Sequence, residues 1–142
     1  MRVLGFVLIV VVLMVGIGSN LPVLLDLPSM LITFVGPLAL LLFSGRRIGN
    51  MFGALFSGQA TGEQLAEAAD SWRLTGVYAM AWGGLGTIIG VVIMLKNVDD
   101  PAAVAPGTAI CILTLFYGLL LAYAIATPLE ARLRDRAAAA GA

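Results

Sequence analysis

Thr87 and Thr114 place hydroxyls within apolar runs of this sequence, and few other side chains could do chemistry there. A hydroxyl at Thr87 can line an ion path, or it can bond the carbonyl of Gly83 one turn earlier in its own helix. The surrounding inventory is sparse. There is no histidine, and Cys111 is the single cysteine, so an intrachain disulfide is excluded and zinc, copper and haem sites have no ligand set. Asp26, Glu63, Glu67, Asp70, Asp99, Asp100, Glu130 and Asp135 all lie near the ends of apolar segments or between them. An ionisable group inside a membrane span is functional by default, and none is found here. Acid–base and nucleophilic catalysis therefore lack residues, and neither an enzyme nor a bound cofactor or metal is expected. If the chain conducts ions, a partner must supply the carboxylate, or hydroxyls and carbonyls must suffice. The alternative is that it conducts nothing.

The elements that hold these hydroxyls follow from composition. The 142 residues are 61% hydrophobic and 11% charged, against about 45–50% and about 25% in soluble domains, so lipid is the natural solvent. Mean hydropathy is +1.04. The net charge of zero and the scattered basic residues give no nucleic-acid signature. The expected fold is all-α and integral to the membrane, one domain over residues 1–142. It has four transmembrane helices, at about 3–21, 27–43, 74–95 and 108–128. The first apolar run follows Arg2 like a signal peptide, but Gly16, Gly18, Ser19 and Asn20 make a poor cleavage site, so a retained helix is expected. Gly36 and Pro37 interrupt the second span, where a kink is expected.

Arg2, Arg46, Arg47, Arg73, Arg132, Arg134 and Arg136 fall on one side of this arrangement, and Lys96 alone on the other. The positive-inside rule then puts both termini and the 44–73 loop in the cytoplasm. A tight turn around Pro22–Asp26 sets helices one and two side by side. Thr61 and Gln64 fit a capping box, with Leu65, Ala69 and Trp72 following at helical spacing. A helix should begin near Gly62 and run unbroken into the third span, so that helices three and four extend into the cytoplasm. Pro101 and Pro106 should bracket a short external loop.

Small residues mark the packing faces. Ala79, Gly83, Gly86 and Gly90 recur on helix three, and Cys111, Thr114, Gly118, Ala122 and Ala126 form a stripe on helix four. Leu113, Phe116, Leu120 and Tyr123 are expected on the opposite face. Such stripes let helices approach closely, whether the neighbour is in the same chain, a second copy or a foreign helix. Pro128 should end or kink helix four.

Gly83-Gly84-Leu85-Gly86-Thr87-Ile88-Ile89-Gly90 with Met94-Leu95 resembles the third-helix motif of the MotA/TolQ/ExbB proton-channel family. Asp99-Asp100-Pro101 and Ala105-Pro106 resemble its linking loop. Thr114-Leu115-Phe116-Tyr117-Gly118, continuing to Pro128-Leu129, resembles its fourth helix, and Leu25-Asp26-Leu27-Pro28-Ser29 with Gly36 the start of its second. The resemblance implies a homo-oligomer, a pentamer, in the bacterial inner membrane. It would surround a single-span partner of the MotB/TolR/ExbD type that carries a membrane aspartate. It further implies a stator subunit of an ion-driven rotary motor. Thr87, Thr114, Gly83 and Gly118 would then lie along the ion path. Ala79, Gly86, Gly90, Cys111, Ala122 and Ala126 would pack toward the partner. Three departures stand out. Met80 replaces an early helix-three proline, and Leu115 replaces the second threonine before the Tyr-Gly, which favours protons over sodium. The 46–73 loop stands where flagellar members carry a large cytoplasmic domain, which points to a short member driving another machine. The competing expectation is a scaffold whose glycine-rich helices serve packing alone.

Overall fold

A computed structural model describes residues 2–18 and 24–141, and every regular element among them is helical. In chain order these are α1 (Arg2–Ile17), α2 (Leu27–Phe43), α3 (Ile48–Phe56), α4 (Gly62–Lys96) and α5 (residues 101–140). The turn expected around residues 22–26 lies partly outside the described residues.

Local chemistry sets the helix ends. Thr61 Oγ1 accepts from Gln64 N at 3.3 Å, and Gln64 Oε1 accepts from Thr61 N at 3.0 Å, so the capping box starts α4 where the sequence places it. At its far end Asn97 Nδ2 donates to Ile93 O at 2.8 Å. Asp100 then caps α5 by accepting from Ala102 N at 3.0 Å, with Pro101 in the first turn, where its missing N–H costs nothing. The external connection is therefore residues 97–100. Pro101 and Pro106 do not bracket a loop: both are helical, and α5 begins about seven residues earlier than the apolar pattern alone implies.

The interior prolines do not end their helices either. Leu31–Val35 before Pro37 and Leu120–Ala126 before Pro128 are wide, π-helical turns, and each helix continues beyond its proline, α5 to Ala140. Thr127 N reaches back five residues to Ala122 O, and Thr127 Oγ1 bonds the same oxygen at 2.8 Å. Shifting the ladder by one residue accommodates the missing proline N–H without breaking the rod.

α4 and α5 run antiparallel and form the principal contact, with α2 packed beside them. α2 stops at Gly45, whose φ of 71° lets Gly45 N and Arg46 N close on Leu42 O and Leu41 O. From there α3 departs at 104° to α2. It packs beside the charged half of α4 through Met51 and Ala54, which join Leu41, Leu65, Ala69, Trp72 and Leu133 in one buried cluster. The Trp72 indole donates to Met51 O at 3.4 Å and meets the Phe52 ring edge-on at 5.3 Å. Arg136 completes this end. Its guanidinium donates to the carbonyls of Ala54 at 2.7 Å and of Ser57, so a cation on α5 satisfies the C-terminus of α3. Arg134 bonds Glu130 at 2.9 Å and Asp70 at 3.0 Å, tying α5 to α4. The Glu130 hydrogen bond, with the charges of Glu130 and Asp70, holds the Arg134 guanidinium above its ordinary pKa.

α4, with 35 residues, and Val104–Ala140, with 37, are long and apolar enough to cross a membrane. At 1.5 Å per residue α4 measures about 52 Å, well beyond the ~30 Å hydrocarbon core. A third crossing is reached when α2 and α3 are taken together as one bent pair. α1 is apolar with exposed Val12, Met14 and Val15, but its 16 residues are shorter than these.

Candidate functional site

The α4–α5 interface is built from the residues least able to keep two backbones apart. Ala79 is fully buried, and Gly83, Gly86 and Gly90 are buried on the same face of α4. Gly107, Thr114, Gly118, Ala122 and Ala126 are buried on the facing side of α5. A methyl group placed on Gly83 would lie 3.0 Å from Thr114 O and 3.2 Å from Gly118 Cα. One on Gly118 would lie 2.9 Å from Ala79 O, and one on Gly86 would strike the Thr114 side chain at 2.5–2.8 Å. One on Gly90 would lie 2.5 Å from Cys111 N. The seam therefore runs from Gly90 and Gly107 at one end to Gly76, Ala122 and Ala126 at the other. Every stripe residue named from the sequence lies in or beside it, and the helix they meet belongs to the same chain.

Two hydroxyls sit in this seam and converge on one carbonyl. Thr87 Oγ1 lies 3.0 Å from Gly83 O and 3.1 Å from Cys111 O, so its single proton is shared between its own helix and α5. Thr114 is fully buried, and its Oγ1 donates to Ile110 O at 2.7 Å, with Cys111 O at 3.4 Å. Cys111 itself is a partly exposed free thiol. Thr87 is also only partly buried, so the residue stands at the edge of the seam while its hydroxyl bonds inward. Of the two readings of Thr87, the bond to Gly83 is formed, and the residue stands at the edge of the seam.

Several residues of this region were not legible from the stripes. Gly107 continues the α5 stripe one turn before Cys111, but an expected loop reaching to Pro106 hides it. Gly36 on α2 lies against Trp82 of α4 so closely that no side chain fits between them. α5 also has a second buried face. Leu113, expected on the outer side, is 8% exposed, and Tyr117 is 6% exposed with its ring 6.0 Å from that of Phe34. α2 covers that side, so α5 is sandwiched. The Tyr117 hydroxyl is buried there without a hydrogen-bond partner among the described residues. On α2, Thr33 Oγ1 donates to Ser29 O at 2.8 Å, and Ser29 is held by the Asp26 carboxylate, so these buried hydroxyls are satisfied locally.

The segment that carries the seam is also the segment shared with known proteins. Residues 56–140 match the model of the MotA/TolQ/ExbB proton channel family. The chain belongs to this family. Relatives include the motility protein A of Aquifex aeolicus, 36% identical over 72 residues, which are 51% of this chain and 28% of that protein. The chemotaxis protein PomA of Vibrio alginolyticus is 37% identical over 76 residues, 54% of this chain and 30% of PomA. The Bacillus subtilis protein YtxD, itself uncharacterized, is 46% identical over 61 residues, 43% of this chain and 22% of YtxD. The chain thus spans between a fifth and a third of the relatives it matches. The family membership inferred from the Gly83–Gly90 and Thr114–Gly118 motifs is shown, and the match begins at the end of α3 and takes in all of α4 and α5.

Proposed function

We propose that this chain is a stator-type proton-channel subunit of a rotary motor, inserted in the bacterial inner membrane with four spans. Both termini and the 44–73 region would lie on the cytoplasmic side. The observation that carries the reading is the pair of seam threonines in the family-matched segment, one on each of two facing helices whose apolar spans have no carboxylate of their own. A proton crossing such a span needs a titrating group, and the chain must borrow one. The donor in this reading is a single-span protein with a membrane aspartate, enclosed by five copies of this chain. Thr87, at the rim, offers its hydroxyl toward the ion path. Thr114, Gly83 and Gly118 would line the path with it along the seam. Ala79, Gly86, Gly90, Ala122 and Ala126 bring α4 and α5 together so that a thin, smooth wall faces the partner, and Pro128 stands below that wall.

The in-chain filling of the small-residue stripes also favours a second reading, in which the glycines serve packing and nothing is conducted. Native mass spectrometry of the complex, co-expressed with its neighbouring genes, separates the two. Five copies with two of an aspartate-bearing single-span protein supports the motor. A monomer or dimer with no such protein supports the scaffold. In the motor reading, Thr87→Leu and Thr114→Leu abolish proton flux in proteoliposomes of the assembled complex. Full flux in both variants removes the threonines from the path.

A further inference from the structure

The short helix α3 has two outer faces that stay exposed, although the Phe52 ring also meets Trp72 of α4 edge-on. It has nine residues and leaves α2 at 104°, so beside a membrane-crossing α2 it lies close to the plane of the bilayer. Its inner face, Met51 and Ala54, is buried beside α4. Asn50 and Gly53 form a small, polar outer face. Phe52 and Phe56, one turn apart, form the other, at 47% and 87% exposure, and Phe43 at the end of α2 is 90% exposed. Three exposed phenylalanines within fourteen residues would be costly in water.

The level of this patch is marked by its neighbours. Tyr78 on α4 bonds Ser44 at 3.2 Å, placing a tyrosine hydroxyl where α2 ends, as at a membrane–water boundary. Arg46 and Arg47 lie between the Phe43 and Phe52 rings in sequence, and neither forms an ion pair with a carboxylate among the described residues. At the same end Asp70 and Glu130 are engaged by Arg134. Two guanidiniums without an ion pair among the described residues, set between exposed phenylalanines in the sequence, match the phosphate layer of an anionic leaflet above its acyl chains.

We propose that α3 is a membrane-surface helix, with Phe43, Phe52 and Phe56 in the headgroup–acyl boundary and Arg46 and Arg47 on the phosphates of anionic lipids. The helix would thereby fix the depth and tilt of α2 and, through Trp72 and Arg136, of α4 and α5. The proposal rests on α2 and α4 crossing the bilayer and is independent of ion conduction.

The test uses the whole chain in phosphatidylglycerol-containing proteoliposomes, with Cys111→Ala as background and a fluorophore attached at Phe56→Cys, Phe52→Cys or Asn50→Cys. Quenching by lipids nitroxide-labelled near the headgroup should be roughly threefold stronger at positions 52 and 56 than at 50, with the order reversed for an aqueous nickel chelate. Equal aqueous quenching at all three positions overturns the proposal. Protection of 52 and 56 from both quenchers overturns it too, in favour of a protein neighbour. Native mass spectrometry of the Arg46→Gln/Arg47→Gln variant reads the lipid class. Preference for phosphatidylglycerol over phosphatidylcholine should fall on the order of tenfold. An unchanged preference refutes the phosphate contact even if the phenylalanines are inserted.

Discussion

Gly90→Ala and Gly84→Ala are the same chemical change on the same helix, and the structure gives them opposite signs. A Cβ on Gly84 meets nothing within 4 Å, whereas one on Gly90 falls 2.5 Å from Cys111 N, 2.7 Å from Gly107 O and 2.8 Å from Cys111 Cα. All three are backbone atoms, so no rotamer change relieves the clash. Restoring ordinary contact at 3.4 Å requires α4 and α5 to part by roughly 0.9 Å there, which forfeits about a quarter to a half of each facing atom pair's attraction. With roughly 30 such pairs at ~0.1–0.2 kcal/mol each, the loss is about 1–2 kcal/mol. The Thr87–Cys111 bond at 3.1 Å lies one turn away and would stretch, adding about 0.6 kcal/mol. Both alanines gain up to ~1 kcal/mol of helix propensity, so the difference between the variants isolates the seam. That difference should be about 2 kcal/mol, near thirtyfold in the unfolding equilibrium. The measurement is loss of far-ultraviolet ellipticity as mixed micelles are titrated with dodecyl sulfate. Gly84→Ala should unfold at or above the wild-type midpoint and Gly90→Ala clearly below it. Coincident midpoints would show that α4 and α5 do not meet at Gly90.

Other expectations concern single polar groups. Arg136→Ala removes the donors to Ala54 O and Ser57 O, so amide exchange over residues 48–57 should rise about tenfold while that of residues 79–90 is unchanged. Uniform acceleration would mean that α3 is not an independently held element. Tyr117→Phe removes a buried hydroxyl that has no partner among the described residues, and should stabilise the fold by about 1 kcal/mol, seen as a higher dodecyl sulfate midpoint. A fall instead would reveal a partner for that hydroxyl in the assembled complex. Thr61→Ala deletes the cap accepting from Gln64 N and should cost about 1 kcal/mol, seen as faster exchange over residues 62–66.

The sequence by itself determined the class of the protein and the start of α4. Both follow from short-range rules: apolar length fixes the solvent, and Thr61 with Gln64 fixes a helix start through bonds between neighbours in the chain. The family was also legible, because its motifs are contiguous and lie within the matched residues 56–140. Small-residue spacing named the seam's members without naming what they touch, since a glycine stripe is equally suited to any helix. Only the tertiary structure shows that Gly83 meets Gly118, that Gly90 meets Cys111, and that Thr87 shares its proton with the Cys111 carbonyl 24 residues away. Pro101 and Pro106 read as loop markers because proline propensity is averaged over contexts; the Asp100 cap makes the first turn a permitted place for Pro101, while Pro106 lies inside the helix, which continues past it. Leu113 and Tyr117 were unreadable for a related reason. A single amphipathic face is visible in a periodicity, but in a helix packed between α4 and α2, within an apolar span, inward and outward residues have the same composition, and burial is decided by which helices arrive.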